Sequence, residues 1–435
     1  MRRQPILKIV IGILAIVGVT CTLDASAAAH IKFKTLHVFT ENNSGGSYPV
    51  AGLIFDAAGN LYGTTSSGGS YGAGTVFKLA PNADGSWTES VIYAFTGGSD
   101  GGNPVAGLIL DSAGALYGTT EGGGDSGCQV IYVGCGVVFK LTPTADGSWS
   151  ESVLYSFTPD GVSGAFPEAG LIFDGAGNLY GTTNGGGTGF CKVNNTWGCG
   201  TVFKLAPNAD GSWTESVLYS FTGGFPDGAW PQAGLVFDTA GNLYGTCPFE
   251  GSENWLIGMV FELTPNSDGT WTESTIHIFY PNWNGVRVGG EPYAGLIIDA
   301  AGNLYGTLSG FTVIGGYGPG AVFKLTPRRT GGWKYSLPWI FQPESGATPL
   351  AGLVHDAVGN LYGTASTGGA YGYGVVFRLK PAPNGLWRYS VVWAFQGKSG
   401  ASPAAGLVLD SAGDLYGTTR GDGKTTFGSV FAIAP

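Results

Sequence analysis

Two residues in neighbouring repeats, Glu168 and Gln232, stand at a position that is otherwise filled by Val50, Val105, Tyr293, Leu350 and Ala404. A carboxyl and an amide side by side can orient a polar ligand through hydrogen bonds. Between and after them in sequence come Trp230, Trp255, Trp283 and Tyr293, with Phe225, Phe249 and Tyr280. Interleaved with these rings are Asp227, Glu250, Glu253, Asn254, Asn282, Asn284 and Glu291. Aromatic faces beside amides and carboxylates suit stacking on a sugar ring or gripping a peptide segment. The expected ligand-binding set is Glu168, Trp230, Gln232, Trp255, Trp283 and Tyr293. The competing reading is that long loops fold over a few buried aromatics of their own.

Catalysis would need a convergent acid/base or metal set, and the chain has only four histidines. His30 starts a strand. His37 and His277 share a pattern position with Tyr93, Tyr155, Tyr219, Trp339 and Trp393, so packing explains them. His355 replaces Phe55 or Leu110 in an inner strand and reads as a core histidine, with a place facing a channel as the rival. Asp84-Gly85-Ser86-Trp87 is similar to the Asp-box turn of sialidase propellers but lacks the residue between Asp and Gly. No serine or cysteine nucleophile motif is present. No catalytic residue, metal ligand or cofactor is expected.

Four of the six cysteines form close pairs, Cys128 with Cys135 and Cys191 with Cys199, in the same loop of neighbouring repeats. No histidine is near and the spacing of a zinc knuckle is missing, so two local disulfides are expected. Cys247 falls where four repeats carry Thr, and is expected to be a small buried side chain.

These residues hang on a sentence written seven times. Pro-x-Ala-Gly-Leu, two apolar residues, then Asp-x-x-Gly-x-Leu-Tyr-Gly starts at Pro49, Pro104, Pro167, Pro231, Pro292, Pro349 and Pro403. In the first repeat, runs with strand chemistry cover Ala51–Phe55, Asn60–Thr65, Thr75–Ala80 and Trp87–Phe95. No stretch sustains a helical period. Four short antiparallel strands per repeat predict an all-β fold, a seven-bladed β-propeller. The last repeat lacks its fourth strand, and Lys34–Phe39 supplies one ahead of the first repeat, which closes the ring. Asp56 and its equivalents are expected to bond the turn that follows, with Gly at positive φ. Tyr62, Phe77 and Trp87 are expected to fill the space between blades.

Turn lengths divide the two ends of the ring. The connections Asp56 to Leu61 and Pro81 to Trp87 keep one length in every repeat that has them, whereas the other two vary. In an antiparallel blade the two variable loops emerge on one face, where a site is expected.

The chain starts with Arg2, Arg3 and Lys8, an apolar run Ile9 to Leu23, and Ala25-Ser26-Ala27. This predicts a cleaved signal peptide over 1–29 and one propeller domain over 30–435. Removal of the leader takes the formal charge from −10 to −12. Acidity with no basic run speaks against nucleic acid and anionic membrane as partners. No membrane span is expected after cleavage, and a monomer is.

The phrase Ala-Gly-Leu-Ile-Phe-Asp-x-x-Gly-Asn-Leu-Tyr-Gly-Thr-Thr, then Gly-Thr-Val-Phe-Lys-Leu and Trp-Thr-Glu-Ser-Val-Leu-Tyr-Ser-Phe, resembles the GloVer tandem repeat across residues 31 to 435. Proteins of that family are exported bacterial, choice-of-anchor proteins. The resemblance implies an extracytoplasmic propeller with no catalytic residues to carry over. This chain departs from the anchored pattern by ending at a strand. The expected function is a non-catalytic binding or scaffold module for a glycan or extracellular protein segment, secreted, periplasmic or on the cell surface. The alternative is a lyase or hydrolase for a polysaccharide or small molecule at the mouth of the central channel.

Overall fold

A short first strand, a buried second strand and two long outer strands make each repeat a four-stranded antiparallel sheet, and seven such sheets form the ring. The computed structural model describes residues 31–435 except 41–43, 125–126, 129–133, 159, 194–195, 250–257, 281, 284–285, 288–289, 311–317, 398–399 and 422–426. His30 lies outside the described residues. The first blade uses Ile54–Phe55, Leu61–Thr65, Thr75–Pro81 and Trp87–Ala94. Among the described residues, one 3-10 turn, Pro343–Ser345, is the helical content. No helix among them is long and apolar enough to cross a membrane.

The seventh blade runs Val408–Leu409, Leu415–Thr419, Ser429–Ala434 and then Lys32–Val38, so the two ends of the propeller share one sheet. Thr35 pairs with Phe431 and His37 with Val430 across a register shift. Closure in this way pairs both ends into one blade and covers the C-terminal strand on both sides, leaving the N-terminal strand as the outer edge that every blade has.

The first strand is shorter than its sequence pattern suggests. Only Ile54 and Phe55 join the ladder, while Ala51-Gly52-Leu53 is used between blades. The Ala51 carbonyl accepts from Thr418 Oγ1 of the seventh blade at 3.2 Å. Six equivalent bonds, such as Thr64 to Ala106 at 3.0 Å, join the remaining blades. A carbonyl pledged to a neighbouring blade is lost to its own sheet.

The core lies between blades. Phe77 is fully buried and meets Phe39 edge-on at 5.2 Å, whereas Tyr62 reaches Trp149 of the next blade at 6.0 Å. Asp56 Oδ1 accepts from the Ala58 and Asn60 amides, both at 2.9 Å, and Gly59 sits at φ +82°. Asp56 Oδ2 accepts from Tyr62 Oη at 3.0 Å, tying the turn to the interblade aromatic. The expected roles of Asp56, Tyr62 and Phe77 hold.

Candidate functional site

The seven Pro-x-Ala-Gly segments converge on the axis. A Cβ placed on Gly295 would lie 3.1 Å from the Gly234 carbonyl oxygen, and Gly52, Gly107, Gly170, Gly234, Gly352 and Gly406 likewise face the equivalent Gly of the neighbouring blade. The inner wall is therefore a closed ring of backbone. The x residue lies two positions before the Gly, and Val50, Val105, Glu168, Gln232, Tyr293, Leu350 and Ala404 are all half-buried, with a buried Ala after each. They form a second ring at the variable-loop end. Glu168 and Gln232 sit there side by side.

In six of the seven repeats the residue before the Pro is unusual, Glu291 being the exception. Tyr48, Asn103, Phe166, Trp230, Thr348 and Ser402 all have φ between 54° and 58°, a left-handed region that such side chains seldom enter. Backbone bonds to the preceding blade hold them there. The Phe166 amide donates to the Cys135 carbonyl and the Trp230 amide to the Cys199 carbonyl, each at 2.8 Å.

The structure contains both disulfides, Cys128–Cys135 and Cys191–Cys199. Their loops therefore carry the carbonyls that seat Phe166-Pro167-Glu168 and Trp230-Pro231-Gln232. The two cross-linked loops brace the two polar positions of the ring. Cys247 is free and buried.

Burial pushes the Glu168 carboxyl up to about 8, and repulsion from Glu121 adds to this. Burial likewise raises Glu121 to about 7, against a lowering contribution from the hydrogen bond donated by Asn103 Nδ2. Neither the Glu168 carboxyl nor the Gln232 amide has a hydrogen-bond partner among the described residues. Glu121 is absent from the expected set. It occupies the place of Ser66, Asn184, Ser309 and Ser366, and aligning the repeats exposes the substitution.

Trp230 is 5% exposed and its ring meets Phe249 edge-on at 5.9 Å. Phe249 in turn meets Tyr293 at 5.8 Å. Trp230, Phe249 and Tyr293 thus form one aromatic wall, with Trp230 on its buried side and Tyr293 half-buried at the ring. Glu291 is buried beside it, raised to about 7 by burial, and accepts from Ser309 Oγ at 3.4 Å. Burial, with Glu291 next, pushes Tyr293 up to about 12. Trp255 lies outside the described residues; Trp283 sits on a ribbon of Asn282–Trp283 with Val286–Arg287, its side chain also outside them. Exposed rings on the variable loops include Phe190, Phe225 and Tyr280, but also Tyr71, Tyr371 and Tyr373 of the first and sixth blades.

The histidines divide. His277 stacks on Tyr335 at 4.3 Å, and burial lowers it to about 4. His37 packs edge-on against Phe39 at 4.7 Å. His355 corrects its expectation: it is exposed at the short-turn end, beside a groove of about 380 Å³ with Asp356, Leu409 and Asp410. The inner strand is only two residues long, so this position lies at its rim, neither in the core nor on the channel.

A further set of raised carboxyls lies between the first four blades. Burial, then repulsion from Asp100, lifts Glu151 to about 7. Burial also lifts Glu215 and Glu273 to about 7, with Asp160 and Asp227 as the second causes. In the later blades the same position holds Tyr335, Tyr389 and Phe33, which stack on His277, Trp339 and Trp393.

The Gloeobacter/Verrucomicrobia repeat model matches residues 18–254, 132–331 and 306–435. The chain belongs to this repeat family. No curated protein shows a significant match to it. For this member of the Gloeobacter/Verrucomicrobia repeat family, the match spans all seven blades, so the mouth residues are variations within the repeat itself.

Proposed function

We propose that this protein is an extracytoplasmic binding module that takes a glycan or an extracellular protein segment on its variable-loop face. The observation that carries the reading is the bracing of Glu168 and Gln232 by the two disulfide loops. A seven-fold ring has no folding reason to make two neighbouring mouth positions polar and to cross-link the loops behind those same two. Glu168 and Gln232 orient the ligand over the channel, Tyr293 offers an aromatic edge, and Trp255 and Trp283 belong to the same proposed set. Trp230 supports the wall from behind. Two disulfides favour a compartment outside the cytoplasm. A cleaved leader over 1–29 ahead of the propeller belongs to the same reading.

One observation favours a second reading, a lyase or hydrolase at the channel mouth. Glu168 and Glu121 are close enough to repel, and a carboxyl raised to about 8 keeps its proton at neutral pH, as a general acid must. Glycan-array binding with mature protein, repeated with Glu168→Gln and Gln232→Ala, tests the module. Saturable binding lost in both variants supports it. Turnover of a bound polysaccharide, with or without added calcium or magnesium, and lost in Glu168→Gln, replaces it with the enzyme. Binding indifferent to both variants refutes the placement.

A further inference from the structure

The short-turn end of the ring carries a pattern that folding does not require. In blades one to four, the second residue of the outer strand is Thr88, Ser150, Thr214 or Thr272, exposed and opposite Ala80, Thr142, Ala206 or Thr264. In blades five to seven the same position holds Lys334, Arg388 and Lys32. Arg388 lies directly opposite Lys380, and like charges paired across strands oppose each other.

The adjoining turns change in the same direction. Asp84, Asp146, Asp210 and Asp268 occupy them in the first four blades, while the fifth has Arg328 and Arg329, and the sixth Asn384. Asn384 Oδ1 accepts from the Leu386 amide at 3.1 Å as Asp84 Oδ1 accepts from Ser86 at 2.8 Å, so the turn does not need the charge. The outer strands of blades five to seven are consecutive, joined by Trp339 on Tyr389 at 4.3 Å and Trp393 on Phe33 at 4.5 Å. Arg328, Arg329, Lys334, Lys380, Arg388 and Lys32 make no ion pair with a described residue. A chain with formal charge −10 has gathered unpaired cations on three of its seven blades.

We propose that the outer edge of blades five to seven, at the short-turn end, is a docking strip for an anionic polysaccharide. The strip is narrow and bounded. A flat anionic surface laid on this end would also meet Asp84, Asp146, Asp210 and Asp268, and be repelled by them. A thin, flexible polyanion that keeps to the outer edge follows the cations, clear of the outer-turn acids of blades one to four and outside the inner turns that hold Asp299, Asp356 and Asp410, with the release of its counterions driving association. The partner differs from the channel-mouth ligand in place and in chemistry.

The test uses mature protein and immobilised dextran sulfate, with neutral dextran as control. The variant Lys334→Thr/Lys380→Thr/Arg388→Thr carries residue types that blades one to four use at these places, so the fold is retained and a thermal melt verifies it. Binding to dextran sulfate alone is expected, weakened at least about tenfold in the variant, with the log–log salt slope smaller by about two to three. Asp84→Asn/Asp146→Asn should bind at least as well as the parent. Equal binding by the triple variant, or no binding at low salt, overturns the strip. Salt-sensitive self-association that the triple variant abolishes assigns it to a second copy instead. Equal, variant-sensitive affinity for duplex DNA removes the preference for polysaccharide.

Discussion

Replacement of Glu168 by Gln isolates the carboxyl at the channel mouth. The folded chain holds its proton more tightly than the unfolded chain does, raising it from 4.5 to about 8. The sign follows: Glu168 costs nothing below about pH 4.5, its cost grows as pH rises, and the cost is complete above about pH 8. The full shift corresponds to a ceiling of about 5 kcal/mol. The side chain is half-buried, so solvent screening reduces this, and the cost of unpaired polar groups in proteins points to about 2 kcal/mol. Glu168→Gln is isosteric with the protonated acid. It should match the parent at pH 4.5 and be about 2 kcal/mol more stable at pH 9. Urea unfolding followed by tryptophan fluorescence, at steps from pH 4.5 to 9, gives the difference directly. Glu121→Gln removes the repulsion, so when both carry it the difference between parent and Glu168→Gln should still begin near pH 4.5 but level off at a lower pH and a smaller value. A Gln variant as steep in pH as the parent, or less stable at pH 9, refutes the argument.

Other consequences are independent of Glu168. The parent should lose stability from pH 5 to pH 8, because Glu121, Glu151, Glu215, Glu273 and Glu291 are each raised to about 7; a flat profile in the same urea series counts against these burials. Trp230→Ala should cost about 3–5 kcal/mol, and an unchanged melt with lost ligand would make Trp230 a contact residue instead. Thr418→Val and Thr182→Val each remove one interblade bond and should each cost about 1 kcal/mol; a much smaller loss at Thr418 would show the closing seam to be looser than the others. Peptide mapping without reduction should recover both bridges, and their reduction should weaken any ligand lost in Gln232→Ala.

Much of this protein was legible in one dimension. The Pro-x-Ala-Gly-Leu phrase counts the blades, and the split seventh repeat with Lys34–Phe39 closes the ring, because each blade's fold depends on alternation within its own repeat. The cysteine pairs, seven and eight residues apart, are equally local. The odd polar residues Glu168 and Gln232 stand out by comparing repeats. Tertiary structure decided what depends on the rotation between blades. It set Glu121 of one blade against Glu168 of the next, and it hung the Glu168 and Gln232 segments from the carbonyls of Cys135 and Cys199. It buried Trp230 behind Phe249, put His355 on the rim, and left only two residues of the first strand to the ladder. The basic sector escaped the sequence for the same reason. Lys32, Lys334 and Arg388 are far apart in the chain and meet on one edge only once the ring closes, since a repeat dictates its own neighbours and the packing of blades dictates everyone else's.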